Sequence, residues 1–73
     1  EDYVTFHEAV STEPDLELQR AILYSFAYTL LEVGEPVYFA QFWEGMSEEQ
    51  RKGPRLRRLY ARYRNASTEV TNS

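Results

Sequence analysis

From Leu16 to Val33 the apolar positions recur with a helical period. At about 100° per residue, Ile22, Leu23, Tyr24, Phe26, Ala27, Leu30 and Leu31 cover well over half of the helix circumference. Such a helix is expected to be enclosed on most sides and to form the core of the fold. Its start is marked by Ser11-Thr12-Glu13-Pro14-Asp15. Thr12 is a capping residue type, Asp15 follows in the first turn, and Pro14 belongs where no backbone donor is needed. Gly34 is expected to end the helix by supplying the left-handed conformation.

Glu35-Pro36 opens a second helix. On it Tyr38, Phe39, Phe42, Trp43 and Met46 share one arc of about 140°, with Gln41, Glu44 and Gly45 opposite. Ser47-Glu48-Glu49-Gln50 has the form of a capping box and starts a third helix. Gly53-Pro54 interrupts that helix, because Pro lacks the backbone donor and disfavours helical geometry in the residue before it. The pattern predicts one turn, a break, and a fresh helix from Pro54 to about Asn65 with the stripe Leu56, Leu59, Tyr60 and Tyr63. Tyr3, Phe6 and Val10 suit a short N-terminal helix, although Tyr3-Val4-Thr5-Phe6 also reads as a strand. Ser67 to Ser73 is small and polar and reads as a flexible tail. The expected fold is all-α: one small domain over residues 1–66, with three to four helices, the third broken at Gly53-Pro54, and a tail over 67–73.

Size sharpens this picture. The chain has 73 residues and 8.6 kDa, room for one domain only. A domain this small buries only about 60% of the surface of its unfolded chain, so its stability is marginal. Disulfides and Cys-based metal sites are ruled out because there is no Cys. Aromatic residues make up 15% of the chain, many for so small an interior, so some are expected at an interface. The absence of Cys fits a reducing, intracellular compartment. A chain that opens on Glu1 rather than Met reads as a processed or excised segment. No apolar run approaches the roughly 20 residues of a membrane-spanning helix.

Charge is the most informative feature. Residues 1–50 hold eleven acids and one base, Arg20, for a net of −10, whereas residues 51–73 hold seven bases and one acid, Glu69, for a net of +6. The bases are Arg51, Lys52, Arg55, Arg57, Arg58, Arg62 and Arg64. On the last helix Arg55, Arg58 and Arg62 flank one side of the apolar stripe, and Arg57 and Arg64 flank the other. Arginine suits carboxylate and phosphate alike, so three readings stay open. The basic helix docks on its own acidic domain or on a second copy; it receives an acidic protein; or it receives nucleic-acid phosphates. The order of core helix, Pro-started helix, turn and basic helix resembles a helix-turn-helix. Here, however, the connection Ser47–Gly53 is longer than that motif's short turn, and Pro54 stands where the groove-reading helix begins.

Catalytic patterns are absent from the sequence. His7 is the only histidine and reads as a plain surface or partly buried residue. The acids Glu13, Asp15, Glu17, Glu48 and Glu49 sit near helix starts, where they oppose the macrodipole. No Gly-rich phosphate loop, calcium loop or zinc spacing occurs. The expectation is a non-catalytic module without cofactor, metal or small-molecule substrate. It would bind another protein or itself through Phe39, Phe42 and Trp43 and through the basic residues Arg51 to Arg64, with nucleic-acid binding as the alternative.

Overall fold

The computed structural model describes residues 3–34 and 36–72, with side chains through Ala66. Five helices are found among the described residues, and no strand: α1 (Val4–Ser11), α2 (Leu16–Val33), α3 (Pro36–Glu44), α4 (Glu48–Arg51) and α5 (Pro54–Asn72). The all-α expectation holds, and the N-terminal element is a helix.

Two phenylalanines on α3 organise the packing. Phe42 is completely buried and meets Tyr3, Phe6 and His7 from the α1 region and Phe26 from α2, with ring centroids 4.6–5.8 Å away. Phe39, one turn earlier and also completely buried, stacks on Tyr63 of α5 at 4.7 Å and on Trp43 at 6.0 Å. Leu23 and Ala27 of α2, Leu56 and Leu59 of α5, Val10 of α1 and Met46 complete the core. The predicted stripe of α5 therefore docks as expected: Leu56 and Leu59 are buried and Tyr60 and Tyr63 half-buried against the core.

The third helix breaks where the sequence places the break. Ser47 accepts from Gln50 N–H, and the Gln50 side chain accepts from Ser47 N–H, so the capping box is complete. Gln50 does more than cap. It is buried, and its amide donates to Gln19 Oε1 at 3.0 Å and to Ser11 Oγ at 3.3 Å, tying α4 to α2 and α1. After one turn the chain breaks at Lys52-Gly53 and restarts at Pro54. The segment Ser47–Gly53 is thus a capped helical turn, not an open connection. The only non-helical link between α3 and α4 is 45–47.

Several local expectations are corrected. Thr12 does not cap α2; its hydroxyl donates to Ala9 O at 2.6 Å and closes α1. The cap of α2 is Asp15, whose carboxylate accepts from Glu17 N–H at 3.0 Å. Pro14 stays outside the helix, since a helix begun earlier would force Glu13 into the geometry Pro disfavours. Gly34 is extended, with φ −106° and ψ −176°, not left-handed. What requires Gly there is space: a Cβ would stand 2.8 Å from Leu30 O. Tyr38 leaves the aromatic face and is exposed, because α5 covers only the Phe39 and Trp43 side of α3. The backbone from Ser67, expected as a tail, continues helical to Asn72, as no Gly or Pro follows Pro54 to halt propagation.

The largest correction concerns α2. Only Leu23 and Ala27 are buried on it, and Leu18, Ile22, Tyr28 and Val33 are exposed. Helices α1, α3, α4 and α5 cover one side of α2 and leave the other open.

His7 is more buried than the sequence suggests. Its Nδ1 donates to Tyr3 O at 2.6 Å, its ring lies 4.6 Å from that of Phe42, and its Nε2 is buried without a hydrogen-bond partner among the described residues. Gly45 makes room for this ring: a Cβ there would meet Cε1, Nδ1 and Nε2 at 2.9–3.2 Å. Gly45→Ala should therefore cost about 1–3 kcal/mol by overpacking, since the ring is held between Phe42 and Tyr3. The shift in denaturant midpoint measures this; a variant as stable as the parent would mean that the His7 ring moves aside freely.

Candidate partner-binding surface

Helix α5 carries its arginines on two sides of the docked stripe. On the side facing α2, Arg55 lies over the ring of Tyr24 and Arg62 over that of Tyr28, each guanidinium carbon 5.9 Å from the ring centroid. Tyr24 and Tyr28 stack on one another with centroids 6.0 Å apart, one helical turn apart on α2. Arg58 is exposed and lines a shallow groove of about 390 Å³ together with Tyr24, Arg55, Leu59 and Arg62. Cation–π contacts of this kind hold the guanidinium groups against the domain at its surface, where their edges can still donate hydrogen bonds.

Carboxylates mark both ends of this arginine face. Arg62 donates to Glu32 at 2.9 Å, and this hydrogen bond, with the attraction of the carboxylate, holds the Arg62 pKa above its ordinary value. At the other end Glu17 shares a groove of about 350 Å³ with Arg55 and Arg58 and is paired with Arg20 at 3.2 Å. These are the two ion pairs among the described residues.

On the side of α5 facing α3, Trp43 stacks on Tyr60 at 4.6 Å and 17°, and Arg64 lies 6.0 Å over Tyr60. Trp43 is half-buried, so of the three predicted anchors Phe39, Phe42 and Trp43 it alone still reaches the surface. Phe39 and Phe42 are core residues rather than anchors, since neither exposes any surface. Arg51 is also diverted from the predicted surface. Its Nε donates to Trp43 O at 3.2 Å and its Nη2 to Glu44 O at 3.0 Å, which caps the C-terminal carbonyls of α3. Lys52 is exposed at the break, and neither it nor Arg57 nor Arg58 makes a side-chain hydrogen bond, ion pair or ring contact among the described residues.

Three participants are not evident from the sequence pattern: Tyr24, Tyr28 and Arg20. The tyrosines sit one turn apart on α2, and the apolar count alone assigns Tyr24 to the interior. Arg20 is the lone base in the acidic half, which is the available signal. Its Nε and Nη2 both donate to Glu49 O, at 3.1 and 2.7 Å, and lock α4 onto α2. Gly53 admits its stem, for a Cβ there would stand 3.0 Å from Arg20 Cδ.

No helix among the described residues is long and apolar enough to cross a membrane. No protein family, curated protein or solved structure matches the chain.

The division of labour between neighbouring bases is measurable. Arg51→Ala should lower stability by about 1 kcal/mol, the ordinary worth of a partly exposed hydrogen-bonding group. Lys52→Ala should stay within about 0.5 kcal/mol of the parent, as an unpartnered surface residue does. Equal denaturant midpoints for the two variants would contradict the cap at Arg51.

Proposed function

We propose that this chain is a non-catalytic interaction module that receives an acidic protein surface on the arginine face of α5. The observation that carries this reading is how little of the arginine charge is used inside the fold. Among the described residues only Arg62 of α5 meets a carboxylate, while Arg55, Arg57, Arg58 and Arg64 keep their donors unpaired. Charge segregation along the chain contributes one ion pair to internal docking, Arg62 with Glu32, and the buried stripe of Leu56 and Leu59 carries the rest. A row of like charges on one helix repels itself, and carboxylates from outside relieve the repulsion. Exposed arginines held over tyrosine rings are arranged in advance, which lowers the ordering cost of bidentate pairing with carboxylates.

Glu17 and Glu32 favour protein over nucleic acid. Each is paired with an arginine and closes one end of the arginine face, so the uncompensated charge forms a bounded patch that a protein surface can match rather than a continuous track for a phosphate backbone. The chain's charge of −4 opposes a polyanionic duplex more strongly than a protein that is acidic only where it docks. One observation supports the second reading: Tyr28 is exposed and stacked on Tyr24 beside the arginines, a platform on which an unpaired base would stack.

A labelled Glu/Asp-rich peptide and a generic DNA duplex, each titrated against the chain at low and high salt, separate these readings. The peptide should bind, weaken with salt, and lose about tenfold or more in affinity with Arg58→Glu, since the reversal both removes an attraction and adds a repulsion. Arg58 is exposed, so the variant should keep the fold. Tighter binding of the duplex, with a steep salt dependence, would replace the protein reading by the nucleic-acid one. Failure of both probes would refute the arginine face as a binding surface.

A further inference from the structure

The open side of α2 is a surface of a different kind. On the helical wheel Leu18, Ile22, Ser25, Thr29 and Val33 fall within an arc of about 80°. All five are exposed, and none carries a charge in a chain that is 27% charged. Leu18, Ile22, Ser25 and Thr29 are spaced four, three and four apart, the repeat of a helix-pairing seam. Thr29 turns its hydroxyl back onto its own helix, donating to Ser25 O at 3.1 Å, and so adds no unsatisfied donor to the strip. Beside the seam a shallow groove of about 500 Å³ runs between α2 and Phe6 of α1, floored by Phe26 and Leu30.

We infer that this strip pairs with the same strip of a second copy, the two α2 helices lying antiparallel about a two-fold axis near Ser25. Three observations select a second copy in that orientation. First, a charged partner finds nothing to pair with on the strip, whereas a second copy brings a matching uncharged one. Second, side-chain size is graded along the seam: Leu18 and Ile22 are bulky, Ser25 and Thr29 slim. Antiparallel pairing sets Ile22 opposite Thr29 of the other copy and Leu18 opposite Val33, so that bulk meets space and both contacts occur twice, as an isologous interface requires. Parallel pairing would set bulk against bulk and hydroxyl against hydroxyl. Third, the two acids of α2, Glu17 and Glu32, are the two that the fold itself neutralises, through Arg20 and Arg62. Bringing two copies together therefore does not juxtapose bare carboxylates from α2.

The area sets the strength. A helix of 18 residues is about 27 Å long and about 10–12 Å across, so the strip spans roughly 300 Å² in projection, to which the Phe6 edge adds. That is below the roughly 800 Å² per partner of a standard interface, and the pairing is accordingly weak and concentration-dependent. It is apolar, so salt leaves it nearly unchanged, which distinguishes it from any association through the arginine face.

Sedimentation equilibrium of the full chain from micromolar to millimolar concentration tests this. A monomer–dimer equilibrium insensitive to salt is expected, with Ile22→Lys raising the dissociation constant about tenfold or more. Ile22 is already exposed, so helicity by circular dichroism should stay at the parental level. Orientation is read by oxidation. Ser25→Cys should form a covalent dimer, because the two residues face each other across the axis within disulfide reach. Leu18→Cys should not, since the two copies of residue 18 lie about 20 Å apart along the antiparallel helices. A chain that stays monomeric at millimolar concentration, or a dimer that Ile22→Lys leaves intact, overturns the inference. Efficient cross-linking through Leu18→Cys overturns the antiparallel arrangement.

Discussion

The fold depends on two rings of one short helix. Helix α3 has nine residues and lacks the length to be stable alone in water. What holds it is that Phe42 is sealed by α1 and α2 while Phe39 is sealed by α5 and Trp43. The other four helices gather on α2, and α3 links the α1–α2 side of the aromatic core to α5. Each of these rings contributes several kcal/mol when fully buried, which is a large share of the stability a domain of this size possesses. This explains why the aromatic content is high without a correspondingly large exposed aromatic patch: eight of the eleven rings are arranged as two groups that meet on α3.

With the interior fixed by aromatic packing, the polar groups take on positioning. Arg20 donates twice to Glu49 O, Arg51 donates to the last carbonyls of α3, and Gln50 bridges to Ser11 and Gln19. All three act on or from the single turn of α4, an element too short to persist unaided. Two of the three glycines serve the same region by close approach: Gly45 admits His7 and Gly53 admits Arg20. The break between α4 and α5 is thus braced from both sides, and α5 leaves it with its apolar stripe already directed at α2 and α3.

Helix periods, the capping box and the Gly53-Pro54 break were legible because they follow from local rules that tertiary context does not override here. The run Leu16–Val33 matches α2, but its cap is ambiguous in the sequence over three residues, since Thr12 and Asp15 are both capping types and only the extent of α1 decides between them. Burial was less legible. An aromatic arc predicts that a face is apolar but not whether its rings meet the interior or solvent, and so Phe39 and Phe42 read equally well as anchors and as core. The apolar count on α2 likewise predicts enclosure, whereas too few helices exist to enclose it. The arginine face was legible as charge; its tyrosine supports on α2 were not, because they depend on how α2 and α5 lie together.

These findings divide the surface by physical character. The face of α5 is charged, pre-ordered on tyrosine rings and largely uncompensated; the outer face of α2 is uncharged and graded in side-chain size. They lie on the two flanks of the same core helix, since Tyr24 and Tyr28 line one and Ile22 and Phe26 the other. A domain that cannot bury a larger interior still has α2 as a shared support for both. Pairing through the outer face would leave the arginine faces of the two copies free and related by the two-fold axis. If the arginine face binds as proposed, the paired chain would present its charge twice to one partner, and the effective affinity of each face would be raised by the other.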